Sequence, residues 1–265
     1  MPAKTFDAVN IDDIKLAPPK ASKAAGSCKT SVIQTTSGKR LAIQTPLMTL
    51  PWDAVPKRMD ESTDFKANVC LSFANMEEGN EECDIYKFKC FLEKFDQKIK
   101  SLCVASSAAL GKKAEEKVID VNFKESIKES AKGDYPSTFQ PKAWLSVREG
   151  GSPKVFEDVT MDVTVFDMNG NKIGSDQLKK GSPCALIVEP SYVWCSALGL
   201  GITWTVKQAI TRPDTKEEFG FVFDKKMEDM KDSEPPSKKM KTSPEHEEFD
   251  EEFEVEEASS ETSDF

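Results

Sequence analysis

The chain has 265 residues, of which 38% are hydrophobic and 9% aromatic, enough for the core of one or two small domains. Its formal net charge of −10 argues at first against a nucleic-acid ligand, but eleven acidic residues and no Lys or Arg lie in residues 245–265. Removing those eleven charges leaves +1 for residues 1–244, so a local basic groove is not excluded.

The first half of the chain predicts a flexible lead-in, a strand and a helix. Residues 1–27 are polar and rich in Lys, Ala and Pro, which is typical of a flexible N-terminal segment. Residues 65–74 alternate between apolar and other residues and predict a half-buried strand, with one face formed by Phe65, Ala67, Val69, Leu71 and Phe73. From Phe88 to Leu102, apolar residues recur at spacings of three and four and predict an amphipathic helix.

The second half predicts further strands. Alternation recurs over residues 159–165 and 202–206, and residues 167–170 read Asp-Met-Asn-Gly, a strong turn signal. Several short strands, Gly/Pro turns and one inserted helix favour a mainly β fold, an OB-like barrel over residues 28–223. Residues 224–244 predict a disordered linker with a basic cluster. Residues 245–265 predict a disordered acidic tail that ends in Phe.

Motifs of catalysis, metal binding and membrane insertion are not found in the sequence. There is no P-loop and no GxSxG, and the single histidine, His246, lies in the acidic tail, so no Ser-His or Cys-His pair forms in residues 28–223. The seven cysteines include no close pair and indicate reduced thiols. There is no long apolar run and no signal-peptide core. The sequence predicts a non-enzymatic protein without cofactor or metal that is not secreted.

Tryptophans with basic neighbours suggest a binding surface for single strands, which need cations for phosphates and aromatic faces for bases. Tryptophan in a strand is more often a core residue, and Trp204 is in phase with Ile202 and Val206. Trp52 follows Pro51 outside any alternation and is predicted to be a surface aromatic. The candidate nucleic-acid-binding residues are Lys39, Arg40, Trp52, Lys57, Arg58, Lys142, Trp144, Arg148 and Lys207.

Two blocks carry a resemblance to a known family. Residues 41–48 contain Gln44-Thr45-Pro46 and are followed by Pro51-Trp52. This block resembles the single-stranded-DNA-binding proteins of large nucleocytoplasmic DNA viruses, which are similar to the corresponding protein of T-odd podophages. Residues 165–170, the Trp194 strand and residues 201–208 resemble the second half of that family. Asp53-Ala54 depart from it, because a glycine is expected after the aromatic residue.

The resemblance implies a dimeric OB-barrel protein that coats single-stranded DNA in replication, recombination or repair. It also implies that the acidic tail competes with DNA for the basic groove and recruits a DNA polymerase or helicase. The tip that would dock on such a partner is Asp264-Phe265, where a ring and a terminal carboxylate are available together.

A basic cluster after two prolines, formed by Lys238, Lys239 and Lys241, resembles a nuclear localisation signal. We therefore expect the protein in the nucleus, or at the viral replication site if it is viral. Two other functions remain open. An acidic-tailed nuclear chaperone for histones or another basic partner explains the net charge better and the terminal Phe worse. A viral structural protein with a β-sandwich is the third possibility.

Overall fold

The computed structural model describes residues 3–21, 29–58, 65–106, 116–196 and 199–212. These residues belong to one compact unit, Met1–Lys216. The predicted linker and acidic tail lie outside the described residues, and so do Lys238, Lys239, Lys241, Asp264 and Phe265.

The described part of the chain is mainly β, with two α-helices, α1 (Asp84–Ala105) and α2 (Glu116–Asn122), and four short 3-10 turns (Phe6–Ala8, Ile11–Asp13, Phe156–Asp158, Ser175–Gln177). The strands before α1 are β1 (Lys4–Thr5), β2 (Ile14–Leu16), β3 (Lys20–Ala21), β4 (Lys29–Thr35), β5 (Ile43–Gln44), β6 (Met48–Thr49), β7 (Lys57–Arg58), β8 (Phe65–Asn68) and β9 (Leu71–Ser72). The strands after α2 are β10 (Phe123–Lys124), β11 (Ile127–Lys128), β12 (Thr138–Phe139), β13 (Lys142–Ala143), β14 (Leu145–Val147), β15 (Val159–Met161), β16 (Thr164–Phe166), β17 (Lys172–Ile173), β18 (Pro183–Ser196) and β19 (Gly199–Thr211).

The two longest strands, β18 and β19, form an antiparallel hairpin at the centre of the sheet. The other edge of β18 pairs with β4, β5 and β6 in turn. The other edge of β19 pairs in parallel with β10, β13 and β16. Register shifts at Ile187/Val188 and Pro190/Tyr192 bend β18, as bulges do, and the sheet curls into a half-barrel. This is the predicted mainly β, OB-like architecture. Helix α1 is the predicted inserted helix, and the short α2 was not predicted.

Helix α1 packs into the curl of the sheet through the face that its periodicity predicts. Phe88, Leu92, Phe95 and Ile99 are fully buried because residues three and four apart share one side of a helix. The ring of Phe95 lies 5.1 Å from that of Trp204, so helix and barrel share one aromatic core.

Two further predictions about core residues are confirmed. Of the predicted buried face, Ala67, Val69, Leu71 and Phe73 are buried and Phe65 is half-buried. The stretch forms two short strands, β8 and β9, and Cys70 and Ser72 on its other face are buried as well. Trp204 is 5% exposed, and its Nε1 donates a 2.7 Å hydrogen bond to Ser126 Oγ, which satisfies the indole N–H inside the core.

The N-terminal segment differs from the predicted lead-in. Residues 3–21 pack on the barrel: β1 pairs with β5, and β2 and β3 pair with β4. The Phe6 ring lies 5.4 Å from that of Phe88, and Ile14 is buried. The segment has only isolated apolar residues at irregular spacing, so the sequence pattern alone gives no sign that it packs on the barrel.

No helix among the described residues is long and apolar enough to cross a membrane. Within the same ranges, no group of three or more His, Cys, Asp and Glu side chains is placed to hold a metal ion.

Candidate nucleic-acid interface

One face of the sheet, opposite to the core, carries a row of polar side chains that crosses several strands. Because β8 places Ala67 in the core, its neighbours Lys66 and Asn68 point to the other face. Directly opposed residues of paired strands share a face. Lys57 is opposite Lys66, and Lys142 is opposite both Asn68 and Thr205, so all five residues lie on this outer face.

A cleft of about 610 Å³ opens on this face between β8, β13 and the β18–β19 hairpin. We call it the aromatic cleft. Besides apolar residues such as Phe65, it is lined by three lysines, two aromatics that carry a polar atom and three small polar residues: Lys66, Lys128, Lys142, Trp144, Tyr192, Asn68, Thr203 and Thr205. No Asp or Glu is among the described residues that line it.

The charge of the aromatic cleft is therefore positive and largely uncompensated locally. Neither Lys66 nor Lys142 forms an ion pair within the described ranges. Lys128 Nζ donates to Gln140 Oε1 at 3.3 Å, a neutral partner that leaves its charge in place. Three ammonium groups around one concave surface attract a polyanion and concentrate its field in the cleft.

Trp144 provides an aromatic face at the edge of this cleft and is 57% exposed. It follows Ala143, a core residue of β13, so alternation turns its ring outward. Its carbonyl oxygen accepts a 2.8 Å hydrogen bond from the Asp162 backbone N–H, which fixes the backbone beneath the ring. A large ring exposed on a fixed backbone is suited to stacking on a nucleobase.

Trp52 and Lys57 lie beside the aromatic cleft and form a cation–aromatic pair. Trp52 is 39% exposed, and Lys57 Nζ lies 5.9 Å from its ring centroid. Burial raises the pKa of the nearby Cys70 thiol to about 11. A hydrogen bond with Trp52 and the charges of Lys128 and Lys57 act against this rise. Lys128, which lines the aromatic cleft, is thus also close to the Trp52 pair.

A second cleft, of about 670 Å³, contains Lys39, Arg40 and Lys207. We call it the Arg40 cleft. Unlike the aromatic cleft, it contains a carboxylate: Glu189 Oε1 pairs with Arg40 Nη1 at 2.5 Å, and Glu189 Oε2 with Lys207 Nζ at 3.4 Å. Two of its three cations are therefore already paired.

The structure brings together four of the predicted site residues, Trp52, Lys57, Lys142 and Trp144, in and beside the aromatic cleft. Lys39, Arg40 and Lys207 line the Arg40 cleft. Arg148 follows β14 on an exposed turn and lines neither cleft. Arg58 ends β7 opposite Phe65, and its side chain lies outside the described part.

Sequence reasoning missed six polar residues of the aromatic cleft: Lys66, Asn68, Lys128, Tyr192, Thr203 and Thr205. The alternation that places Ala67 and Val69 inside also turns Lys66 and Asn68 outward, so these two could have been found. The other four reach the cleft only through pairings between strands distant in sequence, which spacing does not reveal.

The sequence matches no protein-family model and no curated protein. Among solved structures, the fold is similar to the single-stranded-DNA-binding protein of bacteriophage Enc34 in complex with single-stranded DNA, with 13% identity, a TM-score of 0.41, and coverage of 78% of this chain and 99% of that one. It is also similar to gp2.5, the single-stranded-DNA-binding protein encoded by bacteriophage T7, with 15% identity, a TM-score of 0.42, and coverage of 70% of this chain and 100% of that one.

Proposed function

We propose that this protein is a non-enzymatic single-stranded-DNA-binding protein that acts in DNA replication, recombination or repair. The observation that carries the proposal is the aromatic cleft, in which three lysines meet Trp144 and Tyr192 on a sheet face with no carboxylate among the described lining residues. The lysines neutralise phosphates, and Trp144, Tyr192 and the neighbouring Trp52 supply faces for bases.

The geometry favours single strands over duplex. Stacking on Trp144 requires an unpaired base, because in a duplex both faces of each base are covered by its neighbours. Stacking and phosphate contacts tolerate any base. The described lining contains no Arg, the usual bidentate reader of guanine, and Asn68 is its one side-chain amide. We therefore expect binding with little sequence preference.

The test is a fluorescence titration of the full chain with oligo(dT), duplex DNA and RNA at about 50 and about 200 mM salt. Trp144→Ala is expected to weaken oligo(dT) binding by about 1–3 kcal/mol, and Lys142→Gln to reduce the salt slope by about 0.7. The controls are Tyr135→Ala and Lys132→Gln, which alter an exposed aromatic and an exposed lysine that line neither cleft. Equal affinity of Trp144→Ala, Lys142→Gln and wild type would remove the aromatic cleft from the function.

We further propose that the acidic segment 245–265 competes with DNA for the cleft and recruits a polymerase or helicase through Asp264 and Phe265. The support is its eleven acids and terminal aromatic residue. A homodimer and an origin in a large nucleocytoplasmic DNA virus rest on the sequence resemblance alone. Nuclear import rests on Lys238, Lys239 and Lys241, and a reporter carrying residues 231–246 that stays cytoplasmic would contradict it.

The net charge of −10 is the observation that favours a second candidate function. The acidic segment would also suit a nuclear chaperone for histones or another basic partner. Retention on DNA-cellulose against retention on immobilised histones separates the two. The aromatic cleft favours the first, because its lysines would repel a basic partner.

A further inference from the structure

The outer face of the sheet does not end at the aromatic cleft. Thr205, opposite Lys142 on one side, is opposite Glu189 on the other, so the carboxylate of Glu189 lies on the same face as the lysines. Two strand spacings separate Lys142 from Glu189, which is about 10 Å. Lys207 follows Thr205 by two residues on β19 and therefore lies on this face as well. The row of cations that begins at Lys57 thus reaches Lys207 together with the carboxylate that pairs with it.

Both oxygens of Glu189 are engaged. Oε1 is paired with Arg40 at 2.5 Å and accepts from the Ser191 hydroxyl at 3.4 Å, and Oε2 is paired with Lys207 at 3.4 Å. Only 10% of the Glu189 side chain is exposed. A carboxylate removed from water in this way needs its cationic partners, because an unpaired buried charge is strongly unfavourable.

This arrangement works against phosphate binding in the Arg40 cleft. A phosphate that displaced Glu189 from Arg40 or Lys207 would leave one oxygen of a largely buried carboxylate without its cation and would itself lie next to a like charge. Lys142 and Lys66, in contrast, have no carboxylate partner in the described ranges to give up. The two clefts therefore differ in how readily they accept a polyanion, although both are rich in basic residues.

We propose that Glu189 marks the end of the nucleic-acid-binding track: it retains Arg40 and Lys207 as its own partners and confines the bound strand to the aromatic cleft. The proposal rests on the proposed function. Glu189 is a specificity-determining residue that sets how many nucleotides one molecule covers.

The test compares wild type with Glu189→Gln on poly(dT). The amide keeps the shape of the side chain and removes the charge, which frees two cations for phosphate. We expect the occluded length of poly(dT) to increase and the salt slope to steepen by about 1.4, which is ~0.7 for each released cation. Glu78→Gln is the matched control, because it makes the same charge change in another ion pair, the one between Glu78 and Lys89 of α1. Neither Glu78 nor Lys89 lines either cleft. A Glu189→Gln protein with the occluded length and slope of Glu78→Gln overturns the proposal.

A measurement on the wild-type chain keeps the proposal testable if Glu189→Gln does not fold. Lysine acetylation is followed residue by residue by mass spectrometry, with and without oligo(dT). Lys66, Lys128 and Lys142 are expected to be protected, and Lys207, whose side chain is 39% exposed, to react as in the free protein. Protection of Lys207 equal to that of Lys142 contradicts the proposal. If none of the four is protected, and Trp144→Ala binds like wild type, the proposed function itself fails.

Discussion

Ser126 donates two hydrogen bonds to the carboxyl group of Asp96, one from its backbone N–H at 2.8 Å and one from its hydroxyl at 2.6 Å. The same hydroxyl accepts the hydrogen bond from Trp204. Asp96 belongs to α1 and Trp204 to β19, so Ser126 connects the inserted helix to the central hairpin of the sheet. This connection is polar and buried, which makes the attachment of the helix sensitive to the charge of Asp96.

The first prediction concerns pH. Burial raises the pKa of Asp96 from 3.8 to about 7, with the hydrogen bonds from Ser126 acting against the shift and Glu125 adding to it. Since the folded-state pKa is the higher one, the stabilising contribution is complete below about pH 4 and is lost as the pH rises through about 7. The contribution of Asp96 to the free energy of unfolding should therefore fall between about pH 4 and 7, by at most about 1.4 kcal/mol per pH unit.

Urea unfolding of wild type and Asp96→Asn across this range measures the effect. The asparagine cannot ionise, so its curve should be flatter, while Asp134→Asn, at an exposed position, should follow wild type. Parallel curves for wild type and Asp96→Asn would show that Asp96 does not titrate in this range.

The second prediction concerns Gly199, where β19 begins. Its φ is +142°, and an added Cβ would lie 2.8 Å from the carbonyl oxygen of Asn122, which immediately precedes β10. Gly199→Ala is therefore expected to destabilise the fold by about 1–3 kcal/mol. Gly38→Ala is the control, because its φ is +78° but nothing lies within 4 Å of the added Cβ. If thermal unfolding shows an equal loss for both, the close approach of β10 is not the cause.

The elements that could be predicted are those whose pattern of apolar residues is complete within a short stretch of sequence. The spacing of Phe88, Leu92, Phe95 and Ile99 and the alternation at Ala67 and Val69 are local, and both elements are found where predicted. Two-residue strands such as β5, β6 and β13 are too short to show any period, and Phe6 is a single apolar residue in a polar segment.

The candidate site was predictable to a smaller extent for a related reason. Composition pointed to tryptophans with basic neighbours, and Trp144 and Lys142 do line one cleft. Lys128 joins them only because its strand, β11, pairs with β12, which pairs with β9. Tyr192 joins them because the bulged β18 pairs with β19. Glu189 forms an ion pair with Arg40 although 149 positions separate the two residues in the sequence. No local pattern predicts such a contact.

The third prediction addresses the Trp52 pair. Trp52→Ala should weaken oligo(dT) binding by about 1–3 kcal/mol, and Lys57→Gln should reduce the salt slope by about 0.7, because one removes a stacking ring and the other a phosphate contact. Fluorescence titration measures both, with Val121→Ala on α2 as a control at an exposed apolar residue. Unchanged affinity in correctly folded Trp52→Ala and Lys57→Gln proteins would restrict binding to the aromatic cleft alone.

The fourth prediction addresses the acidic segment. Under the proposed function, eleven carboxylates attached to the same chain would compete with phosphates for the lysines of the aromatic cleft. Deleting residues 245–265 should tighten oligo(dT) binding, and most at low salt, because screening weakens the competition. Titrations of the full and shortened chains at several salt concentrations measure this. Identical affinities throughout would mean that the segment does not compete with DNA.

The fifth prediction separates the tip of the chain from its charge. Removing Phe265 alone should abolish capture of a polymerase or helicase and leave oligo(dT) affinity nearly unchanged, because the loss of one ring keeps all eleven acidic side chains. Pull-downs from the same lysate with the full chain and with the Phe265 deletion measure this. Capture of replication enzymes by both to the same extent would contradict a recruiting role for Phe265.

The position of β19 in the chain has a consequence for how the protein folds during synthesis. This strand, residues 199–211, covers edges of β10, β13, β16 and β18, all of which precede it. Until it leaves the ribosome, these strands expose unpaired N–H and C=O groups, and their closure depends on contacts between distant residues, which form slowly. The growing chain is therefore most prone to aggregation just before β19 appears, which makes this the stage at which a chaperone has the most exposed strand edge to protect.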